Sequence, residues 1–130
     1  MPTAEEAVRV AEFRVALQGF LQRTERVARE VGITPRWYLV LLLIKGAPDF
    51  SERSTVTELS RRLGLAQSTV TELVRRAETA GLVAREPSAT DARVVYLRLT
   101  PEGEQRLAQA FENLASERLA LRDAIADLDV

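Results

Sequence analysis

The chain of 130 residues contains no cysteine and no histidine. Those two absences together remove disulfides, thiol chemistry, zinc sites of the usual ligand set, Ser-His-Asp triads and histidine pH switches. A glycine-rich phosphate loop and a paired-carboxylate motif at recognisable spacing are missing too, which leaves an enzyme without its parts. Long apolar runs are lacking: the longest, Trp37 to Ile44, is too short to span a bilayer and reads as a buried helix segment. The first residues, MPTAEEAVRVAEF, are acidic and amphipathic where a secretory signal is basic and then apolar. The sequence therefore predicts a soluble cytoplasmic protein with no membrane partner, no metal and no cofactor.

A strong excess of either charge is also missing, the formal net charge being −1. The distribution is uneven, however. Between Ser51 and Thr100 the bases are Arg53, Arg61, Arg62, Arg75, Arg76, Arg85, Arg93 and Arg98, against the acids Glu52, Glu58, Glu72, Glu78, Glu86 and Asp91. After Thr100 the balance turns acidic, so a mildly basic middle is hidden in the sum. With 46% hydrophobic residues, a chain of this length can bury a core unaided, as one compact domain.

What is present is mostly helical rhythm. From Thr3 to Glu30, apolar Val8, Ala11, Val15, Phe20 and Val27 recur among charges, predicting a long amphipathic helix stopped at Gly32. Thr34-Pro35 is a start signal for a second helix running to about Lys45, all of it apolar enough for the core. After a polar connection from Asp49 to Ser54, Thr55 and Glu58 fit a capping box. The short helix that follows ends at Gly64. Another begins at Gln67 and runs to Ala80, with Val70, Leu73, Val74 and Ala77 on one face. Two short helices joined by a tight glycine-containing turn make a helix-turn-helix. Leu82-Val83-Ala84 and Val95 to Leu99 alternate as hairpin strands around a polar tip carrying Asp91 and Arg93, and Thr100-Pro101 opens a last helix. Its face is Leu107, Ala110, Phe111, Leu114, Leu121 and Ile125, read as continuous to the chain end.

The predicted fold is mainly α with a small β-hairpin, an α+β winged helix-turn-helix between long helices. Residues 1–33 form an N-terminal dimerisation helix, 34–100 the winged helix-turn-helix and 101–130 a C-terminal dimerisation helix, all in one structural domain. The face of the second short helix opposite its buried stripe carries Ser68, Glu72, Arg75 and Thr79, with Thr71 and Arg76 at its margins. Hydroxyls early and arginines later suit base edges and phosphates in a major groove, and Gln67, Ser68 and Thr69 stand near exposed backbone N–H groups. Asp91 and Arg93 lie two apart, on one side of an extended strand, so the carboxylate can orient the guanidinium toward a narrow, negative minor groove.

The segment TVTELSRRLGLAQSTVTELVRRAETAGLVAREPSATDARVVYLRLTPEG, Thr55 to Gly103, resembles the DNA-binding core of the MarR family of bacterial transcription regulators. Ser68-Thr69-Val70-Thr71, Ala80-Gly81-Leu82-Val83, Asp91-x-Arg93 and Leu99 to Gly103 carry the likeness. It implies a homodimeric, ligand-responsive repressor on a palindromic operator of double-stranded DNA. It places DNA contacts at Gln67, Ser68, Thr69, Thr71, Arg75 and Arg76 on the recognition helix and at Asp91 and Arg93 on the wing. It also implies a small aromatic or phenolic effector, for which Phe13, Phe20, Arg36, Trp37 and Tyr38 are the pocket candidates. This chain departs from the pattern at Glu72 and Ala92, where basic residues are common, and at Ala66, a poor N-cap. Near-neutral charge and Glu72 favour an alternative use, a winged-helix module for protein contacts without specific DNA binding.

Overall fold

Threonines set where most of the helices begin. In the computed structural model, which describes residues 1–128, Thr3 and Glu6 form a capping box at the start of α1 (Ala4–Glu30). Thr34 accepts the Trp37 N–H at 3.0 Å to open α2 (Pro35–Lys45). Thr55 and Glu58 form the predicted capping box of α3 (Val56–Leu63), which Gly64 ends in the left-handed conformation that glycine adopts most easily. After α4 (Gln67–Thr79), an antiparallel hairpin pairs β1 (Val83–Pro87) with β2 (Val95–Leu99), Val83 opposite Leu99 and Pro87 opposite Val95. Thr100 then caps α5 (Pro101–Asn113), and α6 (Ala115–Ala126) follows.

A single core draws on α1 to α5 and both strands, with Val27, Leu41, Ile44, Leu59, Val74 and Leu97 at its centre. Gly103 lets the first turn of α5 press against the Leu82 carbonyl, where a β-carbon would overlap that oxygen. Three expectations need correction. The C-terminal helix is not continuous: at Leu114 the backbone leaves helical geometry as its side chain turns into the core. Its N–H bonds to the Phe111 carbonyl, and Arg118 Nη1 donates to that same oxygen at 2.7 Å. Phe111, under the Arg118 guanidinium, and Ile125 are exposed and do not share a buried face with Leu107. In α2, Leu39 is exposed despite its apolar neighbours, because one side of the helix is left uncovered. The third concerns the connection before α3. Ser54 is buried there and exchanges backbone hydrogen bonds with Leu97 at 3.1 and 2.7 Å, adding a bridge to the edge of the hairpin.

Along α1 no residue before Val27 is buried; Phe13, Ala16, Leu17, Phe20 and Thr24 are partly covered, and Arg23 Nε reaches Glu117 on α6 at 3.2 Å. Val8 and Val15, assigned by sequence to the helix's apolar face, are on the outside at 58% and 69% exposure. Asp129 and Val130, expected in the last helix, lie outside the described residues. No helix among the described residues is long and apolar enough to cross a membrane.

Candidate nucleic-acid interface

The reading surface is built on α4, whose inner face buries Val70, Val74 and Ala77 completely. Each valine contributes roughly 1.5–3 kcal/mol by leaving water, which fixes the helix's rotation about its axis. Gln67, Ser68, Thr69, Thr71, Arg75, Arg76 and Thr79 are thereby held outward and exposed, as predicted. The turn leading into α4 is locked by the Ser60 hydroxyl, which donates to the Leu65 carbonyl at 2.5 Å. Ala66 offers no side-chain cap. The first backbone N–H groups of α4 therefore point outward without a side-chain acceptor, as a polyanion's oxygen requires.

Two features of this face were not foreseen. Gln67 is tied down, its Nε2 donating to Thr57 Oγ1 at 3.2 Å, so α3 and α4 present their ends together. Glu72, which reads in the sequence as a misplaced charge, accepts from both arginines. Arg75 grips it with Nε at 2.9 Å and Nη2 at 2.6 Å, and Arg76 reaches it with Nε at 3.0 Å. These bonds hold the Glu72 carboxyl down at about 2. The i, i+3 and i, i+4 spacing was the available signal.

At the wing, Asp91 and Arg93 meet as predicted but by different geometry. Residues 88–94 are a chain of turns, not extended strand: the Arg93 N–H donates to Asp91 Oδ1 at 3.0 Å, and the Val94 N–H to the Asp91 carbonyl at 3.0 Å. An aspartate accepting from the backbone two residues on favours the turn over the pleat. The Arg93 side chain, 91% exposed, then folds back to place Nε 3.2 Å from Oδ1. Hydrogen bonds from the Arg93 side chain and backbone hold the Asp91 carboxyl below its usual range. Ser54 pairs with Leu97 at the middle of β2, and Arg85 Nε on β1 bonds Glu78 on α4 at 3.0 and 3.1 Å, so the hairpin is tied to the helix-turn-helix on both strands.

The residues predicted for an effector divide. Phe20, Arg36 and Tyr38 line one cleft of ≈ 450 Å³ with Leu21, Thr24, Leu39, Leu42, Leu63 and Leu65. Phe13 does not line it, standing about 10 Å further along α1; Trp37 packs against the core. Burial raises the Tyr38 hydroxyl above its usual value against the opposing charge of Arg118, so the phenol there is a neutral donor. Arg36 also lines a shallower groove with Ser68, Thr69, Glu72, Leu73 and Arg76.

The MarR family profile matches residues 31–94. The uncharacterised HTH-type transcriptional regulator YsmB of Bacillus subtilis is 31% identical over 111 residues, covering 77% of this chain and 73% of that protein. A putative transcriptional regulatory protein for the hcr operon of Thauera aromatica is 30% identical over 96 residues, 74% of this chain; the match spans 55% of that relative's length. Among solved structures, a mutant MarR from E. coli complexed with operator DNA superposes with a TM-score of 0.72 at 23% identity, over 89% of this chain and 84% of that one. The order of helices, the capped helix-turn-helix and the braced wing agree with that fold: the chain belongs to the MarR family, whose members are transcriptional regulators and not enzymes.

Proposed function

We propose that the chain acts as a homodimeric, sequence-specific DNA-binding repressor that releases its operator when a small aromatic or phenolic acid binds. The observation that carries this reading is that α4 and the wing tied to it offer two kinds of contact. Ser68, Thr69, Thr71, Arg75 and Arg76 project from a helix whose other face buries Val70, Val74 and Ala77, and an exposed, oriented Arg93 projects from the wing braced to it. The first set suits a major groove and the second a minor groove. Dimerisation is supported by the apolar residues left outside on the terminal helices: Val8, Val15 and Leu21 on α1, Leu119 and Ile125 on α6. The effector proposal rests on the cleft at Phe20, Arg36 and Tyr38. Its size suits a small ligand, and the Arg36 guanidinium on its wall is a donor that a carboxylate needs. A curated relative of Pseudomonas putida, 30% identical, is named as the repressor IacR.

The test is a mobility shift of the duplex upstream of the protein's own coding region, with and without a hydroxybenzoate, alongside sedimentation equilibrium. The expected results are a retarded complex, its release by the acid, and a mass twice the 14.5 kDa of one chain at micromolar concentration. A monomer at that concentration contradicts the dimer. Absence of any complex at low salt transfers the interpretation to protein contacts, which the carboxylates already paired with Arg75, Arg76, Arg85 and Arg93 favour.

A further inference from the structure

The acid at the middle of the reading face, Glu72, is half-exposed, and its two oxygens take three donors from the next turn. The two arginines are held differently. Arg76 is attached by Nε alone, so its terminal nitrogens can swing to a phosphate. Arg75 is attached by Nε and Nη2 together, which fixes the plane of its guanidinium. The group's other edge, Nη1 and the second N–H of Nη2, is then left as a fork of two parallel donors. That fork matches the O6 and N7 acceptors of guanine in the major groove. A flexible arginine would have to be ordered at the moment of contact, and here Glu72 has ordered it beforehand.

Resting on the DNA-binding reading, we propose that Glu72 is a specificity-determining positioning residue: its two-point grip presents Arg75 to a guanine and makes recognition selective at one position of each half-site. A carboxylate facing DNA also repels phosphates, so Glu72 trades general affinity for discrimination. Direct readout of cytosine by Glu72 fits less well, because its oxygens are already occupied by the arginines.

The experiment is selection by the full chain from a library of duplexes randomised over two adjacent half-sites, followed by Kd measurements on the winning duplex and a scrambled one. Parent, Glu72→Gln, Arg75→Lys and the double variant are compared, with folding checked by circular dichroism. The parent is expected to enrich a motif with a fixed guanine in each half-site. Glu72→Gln is expected to bind scrambled DNA at least as tightly while its preference for the winning duplex falls by about tenfold, with the guanine position relaxed. Arg75→Lys keeps the charge but not the fork and is expected to relax the same position, with little further loss in the double variant. An equal gain by Glu72→Gln on both duplexes, with the motif unchanged, reduces Glu72 to a repulsive charge and overturns the proposal. Should Glu72→Gln not fold, retention of the guanine by Arg75→Lys overturns it equally. A parent that enriches no motif is a separate outcome that removes the DNA-binding reading, and this inference with it.

Discussion

Asp91 and Arg93 show how a right pairing can come from a wrong local geometry. Spacing of two reads as one side of a strand, but an aspartate followed two residues later by a backbone N–H is equally a turn, and the turn prevails at the hairpin tip. The consequence is an arginine held by its own backbone as well as by its side chain. Replacing it, Arg93→Ala, is expected to weaken binding to operator and scrambled duplexes by similar factors and to lower the salt slope by about one per subunit. Asp91→Ala should be milder, since the charge remains and only its orientation is lost. The two variants are compared by fluorescence anisotropy. Glu72 was legible as a residue but not as a partner, because sequence spacing admits the contact without saying that both arginines choose it. The carboxyls of Asp91 and Glu72 are lowered by their arginines. The sign follows: their pairs are fully formed above the ordinary carboxylate range and are lost only as pH falls through the lowered values. With no histidine or cysteine present, DNA affinity is expected to stay flat between about pH 5.5 and 7.5. A titration with a step near neutrality contradicts this.

Among the elements, the capped helices were the most legible, since Thr34, Thr55 and Thr100 mark their starts by side-chain chemistry alone. The break at Leu114 was not, because neither glycine nor proline marks it. It arises from tertiary packing, in which a buried leucine pulls the backbone out of register and Arg118 satisfies the carbonyl so freed. Ser54 lies in a stretch that is polar by composition, and its bridge to the hairpin is hidden from local sequence for a similar reason, its partner Leu97 lying far along the chain. At α4 the missing cap has a testable consequence. Ala66→Ser should supply the absent acceptor and raise stability by about 1 kcal/mol in thermal unfolding. It should also occupy the N–H groups that face a phosphate, so DNA binding is expected to weaken about threefold although the protein is more stable. Stabilisation with unchanged or tighter binding shows that the start of α4 makes no phosphate contact.

For the whole molecule, composition misdirects and arrangement decides. A net charge of −1 gives no hint of a polyanion's partner, yet Arg61 on α3, Arg75 and Arg76 on α4 and Arg93 on the wing all stand exposed. Most of those arginines are already bound to carboxylates, Arg62 instead closing the end of α2 through the Leu43 carbonyl. The apolar stripe along α1 and α6 was legible as excess surface, but which valines it used was not, because the helix rotates to cover Phe13, Leu17 and Phe20 and leaves Val8 and Val15 outside. Two copies of the chain are expected to hold DNA through α4 and the wing. This is tested most directly by the dissociation constant for the upstream duplex, measured across a salt series beside a scrambled duplex of equal length. With Arg61, Arg76 and Arg93 of each subunit on phosphates, a log–log slope of about −5 is expected, together with tighter binding of the upstream duplex. A slope near zero, or equal affinity for both duplexes at every salt concentration, contradicts it.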